Sequence, residues 1–283
     1  MTGQDKYKFT EHHPTGIVWN KTREDVWHGF MEKIDDGQLP VTGTIRFKPY
    51  RIAMAAAITV LTGLTILFSS ITKNIEVPAA EHRSLELPDH SHVQLNAKST
   101  LSYKPFWWFV NRTVTLSGEG YFKVQPGKAF TVSSGTHHTV VLGTSFNVYS
   151  RNKDYRVTCI TGKVKVANKI TGNDLTLEPG QMAVDNGSGE FTLNLKSGMD
   201  KSVSWISGKF TFTGTPLTEV LAEIGRQYDI LITTAGDIDY FYSGAFNKGD
   251  SAEKILELVC KPFNLEFTRK NEKEYIITSH NNR

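Results

Sequence analysis

The stretch IAMAAAITVLTGLTILFSSIT, residues 52–72, decides how this chain is organised. It has no charged side chain, and its polar residues are Thr and Ser, whose hydroxyls bond back to helix carbonyls. Its 21 residues, rising about 1.5 Å each, cross a hydrocarbon core of about 30 Å. The sequence therefore predicts one transmembrane helix rather than a core helix, which would show a polar face.

Basic residues on the two flanks of this stretch predict its orientation. Arg46, Lys48 and Arg51 precede it, whereas Lys73 alone follows it before Glu76. The positive-inside rule therefore keeps residues 1–51 in the cytoplasm and places the rest of the chain outside, which in a bacterium is the periplasm.

The composition describes an ordinary soluble surface around this one apolar segment. The net charge is +3, 22% of the residues are charged, and the mean hydropathy is −0.31. Such a balance offers no basic field for nucleic acid, so we expect no direct contact with it. The two cysteines, Cys159 and Cys260, lie too far apart for a disulfide framework and are predicted to pack as small hydrophobic residues.

The cytoplasmic tail contains one predicted amphipathic helix, in the stretch TREDVWHGFMEKI at residues 22–34. Thr22 is the predicted N-cap, with Glu24 and Asp25 in the first turn, where they offset the helix dipole. Apolar residues recur at i, i+1, i+4, i+5 and i+8 and form one stripe: Val26, Trp27, Phe30, Met31 and Ile34. A tail of about fifty residues builds no core of its own, so the stripe must contact the membrane surface, a partner or another copy. Its acidic polar face favours a protein.

Beyond the span the hydrophobic pattern changes to period two, with short strand candidates between turn residues. Three stretches each combine a strand, a Gly turn and a second strand: VTLSGEGYFKV at 114–124, VVLGTSFNV at 140–148 and VTCITGKVKV at 157–166. We predict a linker over residues 73–84 and an all-β hairpin stack over residues 85–198. The stack is either a short β-solenoid or a rolled sandwich.

Residues 199–283 are predicted to form a separate small α+β module. A strand around Phe210 leads into a helix with Pro216 at its first position, and a strand follows at residues 230–232. The unit then repeats with a helix capped by Ser251 and a closing hairpin. Two βαβ-like units predict a small sheet with helices on one face. Two helices on so small a sheet do not hide both of its edge strands, so an edge is expected to be open.

No pattern in the chain indicates catalysis, so we predict a protein that is not an enzyme and has no cofactor. The motifs G-x-S-x-G and H-E-x-x-H and a phosphate-binding loop are missing from the sequence. His90, His92, His137 and His138 lack carboxylate or thiolate neighbours at ligand spacing, so we predict no metal site. The aromatic run FWWF at residues 106–109 suits either an end cap for the strands or a contact with a partner or the membrane surface.

Several external stretches resemble the periplasmic domain of FecR-type anti-sigma regulators, in the form common in Bacteroidetes. They are LPDHSHVQLNAKSTLSY at 87–103, RTVTLSGEGYFKV at 112–124, FTV at 130–132, VLGTSFNVYS at 141–150 and LEPGQMAV at 177–184. The last eighty residues resemble the family's second module, which is similar to the short N-terminal domain of secretins and TonB-dependent receptors. Two features depart from the family: His90 replaces the Gly of LPDGS, and the cytoplasmic part is shorter than usual.

The resemblance implies a single-pass protein of the bacterial inner membrane that relays a periplasmic signal. Its expected partners are the signalling domain of an outer-membrane TonB-dependent transporter and a cytoplasmic extracytoplasmic-function (ECF) sigma factor. The apolar stripe of the tail is then the expected sigma-factor-binding face, and an edge strand of residues 204–283 the expected transporter contact. The alternative is a membrane-tethered periplasmic module for binding or envelope assembly that has no sigma-factor partner.

Overall fold

The computed structural model describes residues 21–36, 48–185, 187–195, 199–236 and 238–279. The chain divides into two compact units, residues 1–61 and residues 62–283. Helix α1 (Arg23–Asp35) lies in the first unit, and helix α2 (Pro49–Ser70) begins in it. The domain boundary predicted at residues 198–199 adjoins residues 196–198, which are outside the described part.

The cap predicted for helix α1 is confirmed. The Thr22 hydroxyl accepts a bond from the Asp25 backbone N–H at 3.3 Å, and the Asp25 carboxylate accepts one from the Thr22 backbone N–H at 3.0 Å. This reciprocal capping box satisfies two N–H groups that a helix start leaves without partners. Hydrogen bonds from Thr22 also lower the pKa of Asp25.

Helix α2 contains the one segment in the described residues that is long and apolar enough to span a membrane, Tyr50–Ser70. Its bounds differ from the predicted 52–72. The helix begins at Pro49, because proline is well suited to the first helical turn, and it ends at Ser70, two residues before the predicted end, because a strand begins at Lys73. The Thr59 hydroxyl donates to the Ala55 carbonyl at 2.9 Å, as expected for a hydroxyl in an apolar helix.

The next part of the chain is almost entirely strand. The strands are β1 (Lys73–Val77), β2 (Arg83–Glu86), β3 (His92–Leu95), β4 (Ser99–Tyr103), β5 (Arg112–Lys123), β6 (Phe130–Ser134), β7 (His137–Val141), β8 (Ser145–Arg151), β9 (Asp154–Thr161), β10 (Val164–Asn168), β11 (Asp174–Leu177), β12 (Met182–Asp185) and β13 (Thr192–Asn194). Strand β1 and the start of β2 lie within residues 73–84, so the prediction of a linker there is wrong. Strand β1 pairs along its whole length with β4 because Ile75 and Val77 face the core.

The strands form two sheets that share β5. Sheet A has the order β1-β4-β5-β6-β7-β10-β11, and sheet B has the order β2-β3-β5-β8-β9-β12-β13. One continuous core lies between them and includes Phe122, Phe130 and Phe146. Two sheets closed over one core correspond to the rolled-sandwich alternative and not to a solenoid.

The three predicted hairpins are wrong, although their glycines do mark a structural feature. Strand β5 runs unbroken through Gly118. The residues of β5 before Gly118 pair with strands of sheet A, and those from Gly118 onward pair with strands of sheet B. Gly118 has φ +110, and a Cβ there would lie 2.4 Å from the Ser99 hydroxyl oxygen, so only glycine fits this bend. Strands β7 and β8 likewise belong to different sheets, as do β9 and β10. Each strand–Gly–strand stretch is therefore a crossing between sheets.

The C-terminal module has the predicted order of strands and helices. Its elements are α3 (Met199–Val203), β14 (Lys209–Pro216), α4 (Leu217–Tyr228), β15 (Leu231–Ala235), β16 (Phe241–Asn247), α5 (Ala252–Cys260), β17 (Leu265–Asn271) and β18 (Glu274–Ser279). The strands do not form the single sheet that was predicted. Strand β14 pairs with β16, and strands β15, β18 and β17 make a second sheet in that order. The hydrophobic pattern of the sequence identifies the residues that face the core, but it does not determine which strands become neighbours. Helix α4 begins one residue later than predicted, since Pro216 still pairs with Phe241.

Candidate functional site

The first candidate surface is the apolar face of α1. All five residues predicted to bind a sigma factor lie on this helix with 40–63% of their surface exposed: Val26, Trp27, Phe30, Met31 and Ile34. The rings of Trp27 and Phe30 are 6.0 Å apart, so the helix presents them as one patch. A preformed helix with an uncovered apolar face is suited to lying in a groove of another protein.

The second candidate surface is the set of sheet edges in the C-terminal module. Among the described strands, β15 and β17 each pair only with β18, so each leaves one edge of that sheet without a strand. Leu231 and Ile232 at the start of β15 face a cavity shared with Lys98 and Asn152 of the β-domain, which comprises strands β1–β13. Strand β17, like β15, consists mostly of exposed residues, and it is not part of the wall of this cavity.

A buried polar network joins this module to the outer face of sheet B. Glu119 on β5 accepts hydrogen bonds from the side chains of Asn96 at 2.8 Å and Asn147 at 2.9 Å. On helix α4, Gln227 donates to the Asn96 side-chain oxygen at 2.7 Å and to Glu223 at 2.8 Å. The network therefore links strand β5 through Asn96 to helix α4 of the C-terminal module.

The two buried carboxylates of this network have opposite pKa shifts. Burial raises the pKa of Glu119, and the negative charge of Glu223 raises it further. Burial also opposes ionisation of Glu223, but the guanidinium groups of Arg226 and Arg151 hold its pKa below the ordinary value. Arg226 donates to one oxygen of Glu223 through Nε at 2.9 Å and Nη2 at 2.5 Å. This close ion pair compensates the buried charge of Glu223.

Another ion pair connects the two modules directly, beside a cavity of about 380 Å³. Arg156 of β9 contacts Glu219 of α4, and its guanidinium lies 4.0 Å from the centre of the Tyr149 ring. The wall of the cavity includes both of these charged groups together with Trp205. The ion pair of Arg156 and Glu219 therefore joins strand β9 to helix α4 at this junction.

The aromatic run at residues 106–109 has one buried ring and three exposed ones. Trp108 is buried, and its ring packs edge-on against Tyr103 at 5.5 Å and Phe130 at 5.9 Å, as an end cap would. Phe106 and Phe109 are instead exposed, the latter by 82%. The run therefore anchors itself in the core with one ring and presents the others to the outside.

The histidines are dispersed and take separate structural positions. His137 is buried, contacts the Asp185 carboxylate through Nε2 at 2.7 Å, and stacks on the Tyr155 ring at 4.1 Å. His90 sits in a turn with φ +63, a left-handed conformation that explains why glycine suits this place in the LPDGS turn. In the described part of the chain, no three metal-ligating side chains gather.

The polar network was not predicted from the sequence. Glu119 occupies an outward position in the period-two pattern of β5, where a charged side chain is normally solvated. The sequence contains only a weak indication of this network. Glu223 and Gln227 lie four residues apart and therefore on the same side of helix α4, next to its apolar stripe. A pattern within one element does not show that a second module covers that face.

Comparison with known proteins identifies the family. The model of the FecR protein family matches residues 73–165, and that of the FecR C-terminal domain matches residues 209–277, together more than half of the chain. Comparison with curated proteins gives no match.

Two crystal structures, each described as a "putative anti-sigma factor" from Parabacteroides distasonis ATCC 8503, are similar to this chain. One has a TM-score of 0.68 at 26% identity and covers 74% of this chain and 99% of its own. The other has a TM-score of 0.67 at 26% identity, and the match covers 73% of this chain and 99% of the matched structure's chain. These likenesses support a regulatory role in signalling, and the apolar helix fits a single-pass membrane protein. The chain belongs to the FecR family of anti-sigma factors.

Proposed function

We propose that this protein is a transmembrane anti-sigma regulator that relays the state of an outer-membrane TonB-dependent transporter to a cytoplasmic ECF sigma factor. The observation that carries the proposal is the presence of both FecR domains on one side of α2 and an uncovered apolar helix on the other. Two partner-binding surfaces separated by one span suit a relay between compartments. The protein thus acts by binding and not by catalysis.

The state of the two thiols argues against a cysteine nucleophile. Cys159 and Cys260 are buried, and burial raises the pKa of each to about 11. A thiol with such a pKa is almost entirely protonated at neutral pH, whereas a cysteine nucleophile reacts as the thiolate.

The proposed orientation places the N-terminus in the cytoplasm of a bacterial cell and the C-terminus in the periplasm. It is supported by the three basic residues Arg46, Lys48 and Arg51 before α2. Alkaline phosphatase fused after Arg283 should be active in a bacterial host, because the enzyme folds only outside the cytoplasm. An inactive C-terminal fusion together with an active N-terminal fusion would reverse the proposed topology.

The proposed sigma-factor contact is the apolar face of α1. Trp27 and Phe30 are 63% and 52% exposed, so docking would remove most of two aromatic rings from water. Aromatic side chains at the centre of an interface contribute about 2 kcal/mol or more each, which corresponds to at least about tenfold in affinity. The test is capture of an ECF sigma factor of the same organism by residues 1–51.

The informative variant is Trp27→Ala combined with Phe30→Ala, which should weaken capture at least about tenfold. Glu32→Ala is the matched control, because Glu32 lies on the opposite face of the same helix, and it should bind nearly as the natural sequence does. If the natural tail captures no sigma factor, the alternative of a tethered periplasmic module is favoured. Equal capture by the double variant would remove the apolar face from the proposal.

The proposed transporter contact is strand addition along the open edge of β17. Backbone pairing tolerates side-chain changes, so Thr268→Ala and Arg269→Ala should bind the transporter's signalling domain almost normally. Successive N–H groups of a strand point to opposite sides, so one of Thr268→Pro and Arg269→Pro removes an outward donor and the other an inward one. The outward proline should abolish binding in calorimetric titration while the circular dichroism spectrum stays native. Normal binding by both folded proline variants would locate the contact elsewhere.

A further inference from the structure

An exposed apolar rim lies on the β-domain just after strand β4. It consists of Phe106, Trp107, Phe109 and Val110, with exposed fractions of 56%, 40%, 82% and 67%. Single exposed apolar residues are common on protein surfaces, but four within five positions form a patch that marks an interaction surface.

The rim is held in a fixed conformation rather than on a loose loop. Residues Pro105–Trp107 form a 3₁₀ turn, and the backbone N–H groups of Val110 and Asn111 donate to the Trp107 carbonyl at 3.1 and 3.0 Å. Buried Trp108 anchors the segment in the core, and Lys128 Nζ donates to the Phe109 carbonyl at 3.4 Å. A rim held in this way is already ordered before it meets a partner, which lowers the entropic cost of binding.

The register of sheet A places this rim at the end where the chain leaves α2. Only Ile71 and Thr72 separate Ser70 from β1, and Lys73 at the start of β1 pairs with Tyr103 at the end of β4. The 3₁₀ turn begins two residues after Tyr103. The Phe106 ring lies 5.1 Å from the ring of Phe68 in the last helical turn, as this register requires.

Distances along the chain then fix the depth of the rim. Three residues of extended chain cover at most about 10 Å, so Lys73 and its partner Tyr103 lie within about that distance of the helix end. The headgroup layer on each side of a bilayer is about 5–8 Å thick. Because the Phe106 ring also lies 5.1 Å from the ring of Phe68 in the last turn of α2, the rim is at the level of the headgroups when α2 spans a membrane.

We propose that the rim inserts into the headgroup layer of the bilayer that α2 spans and fixes the β-domain against that membrane. Trp107 favours this layer because its ring combines an apolar body with an N–H group. Phe106, Phe109 and Val110 add apolar surface that can enter the boundary between headgroups and acyl chains. Lys104 and Lys128 lie beside the rim and suit contact with anionic lipid. The inference relies on the proposed placement of α2 in a membrane but not on any partner protein.

The test uses the full chain in nanodiscs of phosphatidylethanolamine and phosphatidylglycerol. An environment-sensitive fluorophore is attached to Phe109→Cys, and lipids carrying a nitroxide on the headgroup serve as quencher. The matched control is Ile170→Cys, because Ile170 is 78% exposed and follows β10 at the opposite end of sheet A. The natural thiols are buried, so the unmodified chain measures background labelling.

The expected result is quenching by at least about twofold at position 109 and almost none at position 170, since nitroxide quenching requires contact within the headgroup layer. Val110→Cys should repeat the result at a second rim position if the Phe109 variant folds poorly. A fluorophore at positions 109 and 110 that remains in water while the chain is inserted would overturn the proposal and favour a protein partner for the rim. Failure of the natural chain to enter nanodiscs would instead contradict the proposed membrane placement of α2.

Discussion

Removing Arg226 should destabilise the junction between the β-domain and the C-terminal module through the charge that it leaves behind. The side chains of Arg226 and Glu223 are only 13% and 8% exposed. Breaking a buried ion pair on one side typically costs 3–5 kcal/mol, because the remaining charge is buried without its partner. Arg151 still lies close enough to lower the pKa of Glu223, so we expect Arg226→Ala to cost about 3 kcal/mol, at the lower end of that range.

The loss should depend on pH in a direction that follows from Glu223. In the natural protein the pKa of Glu223 is lowered, so its stabilising contribution is present above the unfolded pKa and is lost as pH falls through the folded pKa. Without Arg226 the burial effect dominates and raises this pKa, so the variant loses stability as pH rises above the unfolded value. The difference in unfolding free energy between the two proteins should therefore grow by about 1 kcal/mol or more from pH 5 to pH 7.5.

Urea unfolding of residues 73–283 measures this difference, followed by tryptophan fluorescence to which Trp205 at the junction contributes together with Trp107 and Trp108. A loss of about 3 kcal/mol lowers the urea midpoint by about 1 M or more. Arg269→Ala is the control: its pair with Glu253 is 3.5 Å long and about half exposed, so the change should cost less than about 1 kcal/mol. Glu223→Gln added to Arg226→Ala should recover part of the loss. A pH-independent difference, or one below about 1 kcal/mol, would refute the assignment of a costly buried charge.

Two further predictions concern the backbone. In the same urea assay, Gly118→Ala should cost about 3 kcal/mol or prevent folding, because the added Cβ would clash with Ser99 at an unfavourable φ. Gly135→Ala is the control and should cost about 1 kcal/mol, because the space around Gly135 is open. Similar losses at both sites would show that the crowding at Gly118 is unimportant. His90→Gly should stabilise the protein by about 0.5–1 kcal/mol, since glycine relieves the left-handed strain at this turn, and a lower urea midpoint would contradict that account.

The sequence by itself determined the features that depend on local patterns. The charge-free stretch at residues 52–72 predicted α2, because length and apolarity suffice to specify a helix that can span a membrane. The spacing of Val26, Trp27 and Phe30 predicted the exposed face of α1, since a helix of period 3.6 brings these positions together. The order of strands and helices in the C-terminal module followed from the same periodicities and from Ser251, which caps α5 as predicted.

Only the tertiary structure decided how strands pair and which outward faces become buried. Strand β5 looked like two strands joined by a turn, because a glycine at a bend between sheets has the same local signal as a glycine in a hairpin. Glu119 points outward by its position in β5, but it is buried and accepts a hydrogen bond from Asn96, which itself accepts one from Gln227 of helix α4. Burial of this kind depends on residues more than a hundred positions away, so no pattern within β5 contains it.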